Sequence, residues 1–254
     1  MKKRHYIYSL ATWAIIFLIW YLVTRSGNIS AISLPSPKAV LSAFRDVIKN
    51  GYNFTPLWQH IGISLFRLFM AIVFSVITAI PLGLLSGYFP KVRAVVDSVI
   101  NFYRPLPPLS YYTLLILWLG IGESSKIMLL FLASFAPIYV SSVAAVSRVD
   151  RHYIDGAKTL GASPKQIFFQ VIMPATLAEI FVGVRTAVGV AYTTLVSSEM
   201  IAATAGIGWM VLDAYKYLKT EVVFVGIIVM GITGVLIDQL LQAIEKKYIF
   251  WNGK

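Results

Sequence analysis

The sequence predicts an all-α membrane protein of about six transmembrane helices, and three observations carry that prediction. Hydrophobic residues make up 58% of the 254-residue chain and charged residues only 13%, where a soluble domain holds roughly 25% charged residues. Mean hydropathy is +0.75. The apolar residues gather in runs long enough to cross a bilayer, separated by short stretches that hold most of the charge. There is no cysteine, so disulfides and thiolate metal sites are excluded. The net charge of +11 sits largely in connecting segments and at the termini, where it sets membrane orientation. No nucleic-acid partner is expected, because that requires a basic face on a soluble surface.

Lys2, Lys3, Arg4 and His5 precede an uncharged run from Tyr6 to Thr24. No small-x-small cleavage pattern follows closely and the run is long for a signal peptide. It reads as a retained first span with its basic end in the cytoplasm. LPSP at Leu34–Pro37 then leads into Val40, Leu41, Phe44, Val47 and Ile48, whose spacing predicts a short helix at the outer interface. Residues 1–60 thus form an N-terminal helix and interfacial segment, ahead of a core over 61–254.

Within that core, Leu68–Pro90 is an uncharged second span, with Pro81 placed to kink it and Arg67 placed to snorkel at its outer end. Lys91, Arg93, Asp97 and Arg104 mark a cytoplasmic loop, and RPLPP at Arg104–Pro108 opens a third span ending near Gly122. GIGESSK at Gly120–Lys126 faintly resembles a phosphate-binding loop, but Ser125 stands where the second glycine is needed and no strand precedes it. It reads as a tight connection into a fourth span, Ile127–Ser147, which contains Pro137. A fifth span runs from about Ala175 to Ser197 and a sixth from Val222 to about Ile244. Six spans put both termini in the cytoplasm. Thirteen Lys and Arg then lie inside and seven outside, a moderate bias in favour of this orientation. Arg25, Lys38, Arg45 and Lys49 run against it.

Between the fourth and fifth spans lies a polar island, Asp150–Pro174. Asp150 is placed as the N-cap of a short helix through Leu160, and Gly161 as its C-terminal glycine. Ser163, Pro164 and Gln166 make a capping box for a second helix, and Pro174 marks entry to the fifth span. A deliberately capped surface element of this kind suits docking of a soluble partner better than plain connection. The fifth span is the least lipid-like. Thr186, Thr193 and Ser197 recur at roughly helical spacing with Gly183 and Gly189, and Glu179, Arg185 and Tyr192 lie in the same span. Polar residues at membrane depth face a bundle interior or water, while small residues also serve close helix packing. Both uses stay open. Glu199, at the outer end, reads as a loop charge or as part of the path.

Asp155-Gly156-Ala157, three residues, Gly161, nine residues and Val171-Ile172-Met173-Pro174 together resemble the EAA loop of ATP-binding-cassette importer permeases, whose pattern is E-A-A-x3-G-x9-I-x-L-P. The departures are Asp for Glu, Gly for the first Ala, Val for Ile and Met for Leu. LPSP, RPLPPLS at Arg104–Ser110, LWLGIGESSKI at Leu117–Ile127 and SSEMIAATAGIGWMV at Ser197–Val211 are similar to the sulfonate, nitrate and taurine branch, the last stretch most to taurine permeases. The resemblance implies a type I importer permease fold in the bacterial cytoplasmic membrane. It implies a docking role for Asp155, Gly156, Ala157, Gly161 and Pro174; the polar residues of the fifth span and its outer end, read on their own, mark Thr186, Tyr192, Thr193, Ser197 and Glu199 as the candidate translocation path. The resemblance further implies a second permease copy, two cytoplasmic ATPases that bind ATP and Mg, an extracytoplasmic solute-binding protein and surrounding lipid. The sequence itself offers no catalytic set and no metal cluster, and the chain is expected to carry no cofactor. The solute would be taurine or another alkanesulfonate, with nitrate, bicarbonate or another small solute as the alternative. A secondary transporter would show inverted repeats with charges at the midplane, and none is evident.

Overall fold

The computed structural model describes residues 2–27 and 29–249, and every regular element among them is helical. In chain order these are α1 (Lys2–Arg25), α2 (Pro37–Asn50), α3 (Leu57–Tyr88), α4 (Pro90–Tyr103), α5 (Pro108–Leu119), α6 (Glu123–Ser147), α7 (Arg151–Thr159) and α8 (Pro164–Gln166). A π-helical segment, Ile167–Ile172, leads into α9 (Met173–Ala202), followed by α10 (Ile207–Lys216) and α11 (Thr220–Tyr248). Four helical runs among the described residues are long and apolar enough to cross a membrane: Leu57–Tyr88, Glu123–Ser147, Pro164–Ala202 and Thr220–Lys247. Shorter apolar stretches at Leu10–Arg25 and Pro108–Leu119 complete six apolar helical segments. At about 1.5 Å per residue, the 12 residues of α5 fall short of a bilayer core. Lys254, counted with the C-terminal cations, lies outside the described residues.

Two sequence expectations change here. The charged stretch after the second span is a helix, α4, not a loop. Pro90 sits at its start, where a missing N–H costs nothing, and Arg93 pairs with Asp97 one turn on at 3.1 Å. The second helix of the polar island, in turn, does not stand alone. It runs through the π segment into α9 as one 39-residue helical stretch. The backbone N–H of Met173 reaches back five residues to the Phe168 carbonyl. That wider turn lets Pro174 sit inside a continuous helix, where α-geometry would set its ring against the carbonyl four residues earlier.

The chain divides into two compact units. One comprises the residues up to Gly62 together with Ala205–Gly231. Its core gathers Val40 and Val47 of α2, Tyr52, Leu57, Ile207, Met210 and Ala214 of α10, and Val222, Val225 and Val229 of α11. Trp20 stacks on Phe224 and donates its indole N–H to the Pro35 carbonyl at 3.0 Å. Between α2 and α3, Tyr52 and Thr55 exchange backbone hydrogen bonds of 2.8 and 3.0 Å. Asn53 and Phe54 both take positive φ, 46° and 62°, the signature of a type I′ turn.

The other unit comprises Ile63–Thr204 and the segment from Ile232 onward. Its helices approach closely through small residues, as membrane helices do. A side chain at Gly83 would place its Cβ 2.5 Å from Ser142 Cβ, and one at Gly183 would place it 2.3 Å from Ser141 Cβ. Ser141 donates to the Glu179 carbonyl at 2.9 Å, and Ser75 and Ser134 hydroxyls bond at 2.7 Å. Pro81 and Pro137 both lie inside continuous helices.

Candidate functional site

The polar island is built by its caps. The Asp150 carboxylate accepts from the His152 N–H at 2.9 Å, starting α7. At the other end Gly161 takes φ of 81°, a conformation that costs a side-chain-bearing residue about 1 kcal/mol or more. Its N–H donates to the Lys158 carbonyl at 2.9 Å and that of Ala162 to the Ala157 carbonyl at 3.0 Å, the paired bonds of a Schellman motif. Two residues later the Ser163 hydroxyl accepts from the Gln166 N–H while the Gln166 side chain accepts from the Ser163 N–H, a complete capping box. Lys158 pairs with Asp155 at 3.1 Å.

No residue of α7 is buried. Asp155, Gly156, Gly161 and Pro174 are exposed and Ala157 is partly covered. Leu160 is 90% exposed and Tyr153 69%. A nine-residue helix has little stability of its own; two well-made caps hold this one with Tyr153 and Leu160 turned outward. Beside it, a groove of about 570 Å³ is lined by Arg148, Asp150, Tyr153, Ala178, Glu179 and Val182. Arg148 and Glu179 form an ion pair across it.

The residues singled out along α9 divide into two groups. Thr186 and Thr193 are exposed and Ser197 is half-buried. They recur at seven- and four-residue intervals, so they share one helix face with Val182, Gly189 and Val190. Their hydroxyls are satisfied by their own helix: Thr186 donates to the Val182 carbonyl at 3.0 Å, Thr193 to Val190 at 2.9 Å and Ser197 to Thr193 at 3.2 Å. Tyr192 points elsewhere. Its hydroxyl bonds that of Thr233 on α11 at 2.5 Å, above a small cleft where Arg185 chelates Asp238 at 2.7 and 3.1 Å.

Glu199 is not a solvated loop charge. It is 1% exposed and accepts from Arg67 Nη1 at 2.7 Å and from the Ser64 hydroxyl at 2.7 Å. Nor does Arg67 snorkel: at 2% exposure it also grips Glu123, Nε to Oε2 at 2.5 Å and Nη2 to Oε1 at 2.6 Å. Lys126, 3% exposed, donates to the Gly122 carbonyl at 3.1 Å and approaches Glu123 at 3.4 Å. Burying a guanidinium this far from water requires carboxylate partners, and they come from two other helices, α6 and α9. GIGESSK therefore supplies two members of this charge cluster, Glu123 half-exposed and Lys126 buried. A second missed arrangement lies in the other unit. His60, fully buried, accepts the Gly206 N–H at Nδ1 (3.1 Å), which leaves Nε2 protonated 3.4 Å from the Tyr52 carbonyl, and its ring stacks on Trp209. The Tyr52 hydroxyl donates to Asp213 at 2.9 Å; burial, then this carboxylate, push the phenol above its ordinary range.

Comparison with known proteins fits this geometry. Residues 79–250 match the family model described as binding-protein-dependent transport system inner membrane component. The taurine transport system permease protein TauC of Escherichia coli is 40% identical over 99% of this chain and 92% of its own length. The putative aliphatic sulfonates transport permease protein SsuC of Bacillus subtilis is 30% identical over 99% of this chain and 90% of its own. Among solved structures, the methionine ABC transporter MetNI in an inward-facing conformation superposes with a TM-score of 0.57 at 18% identity, covering 74% of this chain and 95% of that one; this shows a shared fold. A bundle of apolar helices interrupted by a capped, outward-facing island, matched over most of its length, thus places the chain in the binding-protein-dependent transport system inner membrane component family, as a permease subunit of the ABC importer type.

Proposed function

We propose that this permease carries taurine or another small alkanesulfonate, and that α7 with Gly161 is the element through which ATP hydrolysis drives it. The Schellman-capped α7, none of whose residues is buried, carries the docking half of this reading. The names of the relatives, taurine and aliphatic sulfonate transport permeases, support the solute. In this scheme two copies of the chain form the pathway. Two cytoplasmic ATPases hold ATP and Mg, and the permease itself performs no chemistry. A binding protein delivers the solute from outside. Closure of the ATPases on ATP pushes α7, with Asp155, Gly156, Ala157 and Gly161 at the contact and Pro174 set in the helix behind it.

The opposite ends of the spans then face outward, and both termini lie in the cytoplasm. Thr186, Thr193 and Ser197 would line the path. Their hydroxyls, each bonded to its own helix, keep a lone pair free for a passing ammonium, and the stripe carries no fixed charge that would trap a sulfonate. Tyr192 and Glu199 would act behind this face, holding α9 against its neighbours. Gly161→Glu tests the docking half: the variant should insert in the membrane normally and lose the ATPase on co-purification. Undiminished co-purification sinks it. For the solute, uptake of labelled taurine in cells carrying the whole transporter should be competed by ethanesulfonate and not by nitrate. A relative named for nitrate import, at 28% identity, makes competition by nitrate the informative opposite outcome.

A further inference from the structure

Helix α2 carries cations that the transport reading leaves unused. Val40 and Val47 are buried in the core of their unit. On the outward side, helical spacing sets Ile48, Leu41, Arg45, Lys38 and Lys49 side by side across about 100° of the helix surface. Leu41 and Ile48 are 50% and 53% exposed, and the three cations are exposed too, with no ion pair among the described residues. The acid of α2, Asp46, lies round the helix toward a groove shared with Ala39, Gly51 and Lys219, where it accepts from Asn50 at 2.6 Å. The outward face is therefore an aliphatic edge that grades into three cations.

We propose that this face seats on the headgroup layer of anionic phospholipid. Leu41 and Ile48 enter the acyl boundary, and Lys38, Arg45 and Lys49 meet lipid phosphates. The arrangement is that of an interfacial amphipathic helix, in a chain that already spans a bilayer. It also accounts for a cost. On the orientation proposed above these cations lie outside, where the positive-inside rule disfavours them, and a phosphate layer supplies the compensating charge. An acidic protein face would match the cations but gives no place to Leu41 and Ile48 at the edge that borders the core.

The absence of native cysteine allows a direct test. A spin label on Leu41→Cys in the full chain is placed in phosphatidylcholine vesicles with and without phosphatidylglycerol. The label should be more accessible to oxygen than to a water-soluble nickel chelate, and the contrast should grow with phosphatidylglycerol. A K38Q/R45Q/K49Q triple substitution should remove that growth and weaken phosphatidylglycerol retention roughly fivefold per cation. The proposal is overturned by a label that stays aqueous in both vesicles. It is equally overturned if the label becomes shielded only on adding the solute-binding protein, which would make this a protein-docking face. All three cations are exposed, and the label sits on an otherwise unchanged chain, so misfolding does not blur the result. Neither measurement involves the ATPase or transport, so the outcome is independent of the proposed function.

Discussion

Arg67 shows at a single residue how this chain keeps charge inside an apolar bundle. Its guanidinium offers a fork of donors and fills it with two carboxylates, Glu123 and Glu199, at 2.5–2.7 Å. Such a cluster is a poor source of stability when intact and a heavy liability when broken. Arg67→Met is therefore expected to lower stability by about 3–5 kcal/mol, read as a drop in the thermal midpoint of the purified chain. Glu199→Leu alone should cost a similar amount, because it leaves part of the guanidinium unpaired. Combining the two leaves Glu123 with Lys126 and half-exposed to water, so the double variant should melt above either single variant. A midpoint lowered by the sum of the single effects would show that the residues act separately. None of this was visible in the sequence, since Arg67 and Glu199 are 132 positions apart and neither carries a local signal of its partner.

Elements whose signals are local were legible. Asp150, Gly161 and the Ser163–Gln166 box all act within a turn of themselves, and each does in the structure what its position predicts. The continuation of the second island helix into α9 was hidden because proline ordinarily ends a helix, and only the π segment reconciles Pro174 with the run. α4 was hidden by its charges, which read as loop until Arg93 and Asp97 are seen one turn apart. Two glycines give opposite expectations at this scale. A methyl group added at Gly156 in α7 would meet no atom within 4 Å, so Gly156→Ala should stabilise α7 by about 1 kcal/mol. Slower amide exchange across Arg151–Thr159 would register it. Gly183 is where α9 meets Ser141 of α6, and Gly183→Val should force the helices apart at a cost of about 1–3 kcal/mol. Thermal unfolding beside a Gly189→Ala control, which has open space, separates crowding from helix propensity.

For the whole molecule the expectation that matters most is sidedness, because the docking and path assignments both depend on which ends of the spans face the proposed ATPase. A single cysteine at Ser163, exposed at the start of α8, should react with an impermeant maleimide in inside-out vesicles and stay unlabelled in intact cells. Labelling in intact cells would overturn both the docking and the path assignments. The apolar runs made the membrane character legible from sequence, but no run could show that Glu123, Lys126, Arg67 and Glu199 meet. Their meeting has an electrical consequence. Two cations and two carboxylates sum to zero, and the energy of moving through a membrane potential scales with net charge, about 2.3 kcal/mol per elementary charge per 100 mV. A rearrangement that carried the cluster through the membrane field would neither draw on the voltage nor be driven by it, as the nucleotide-driven cycle proposed above requires.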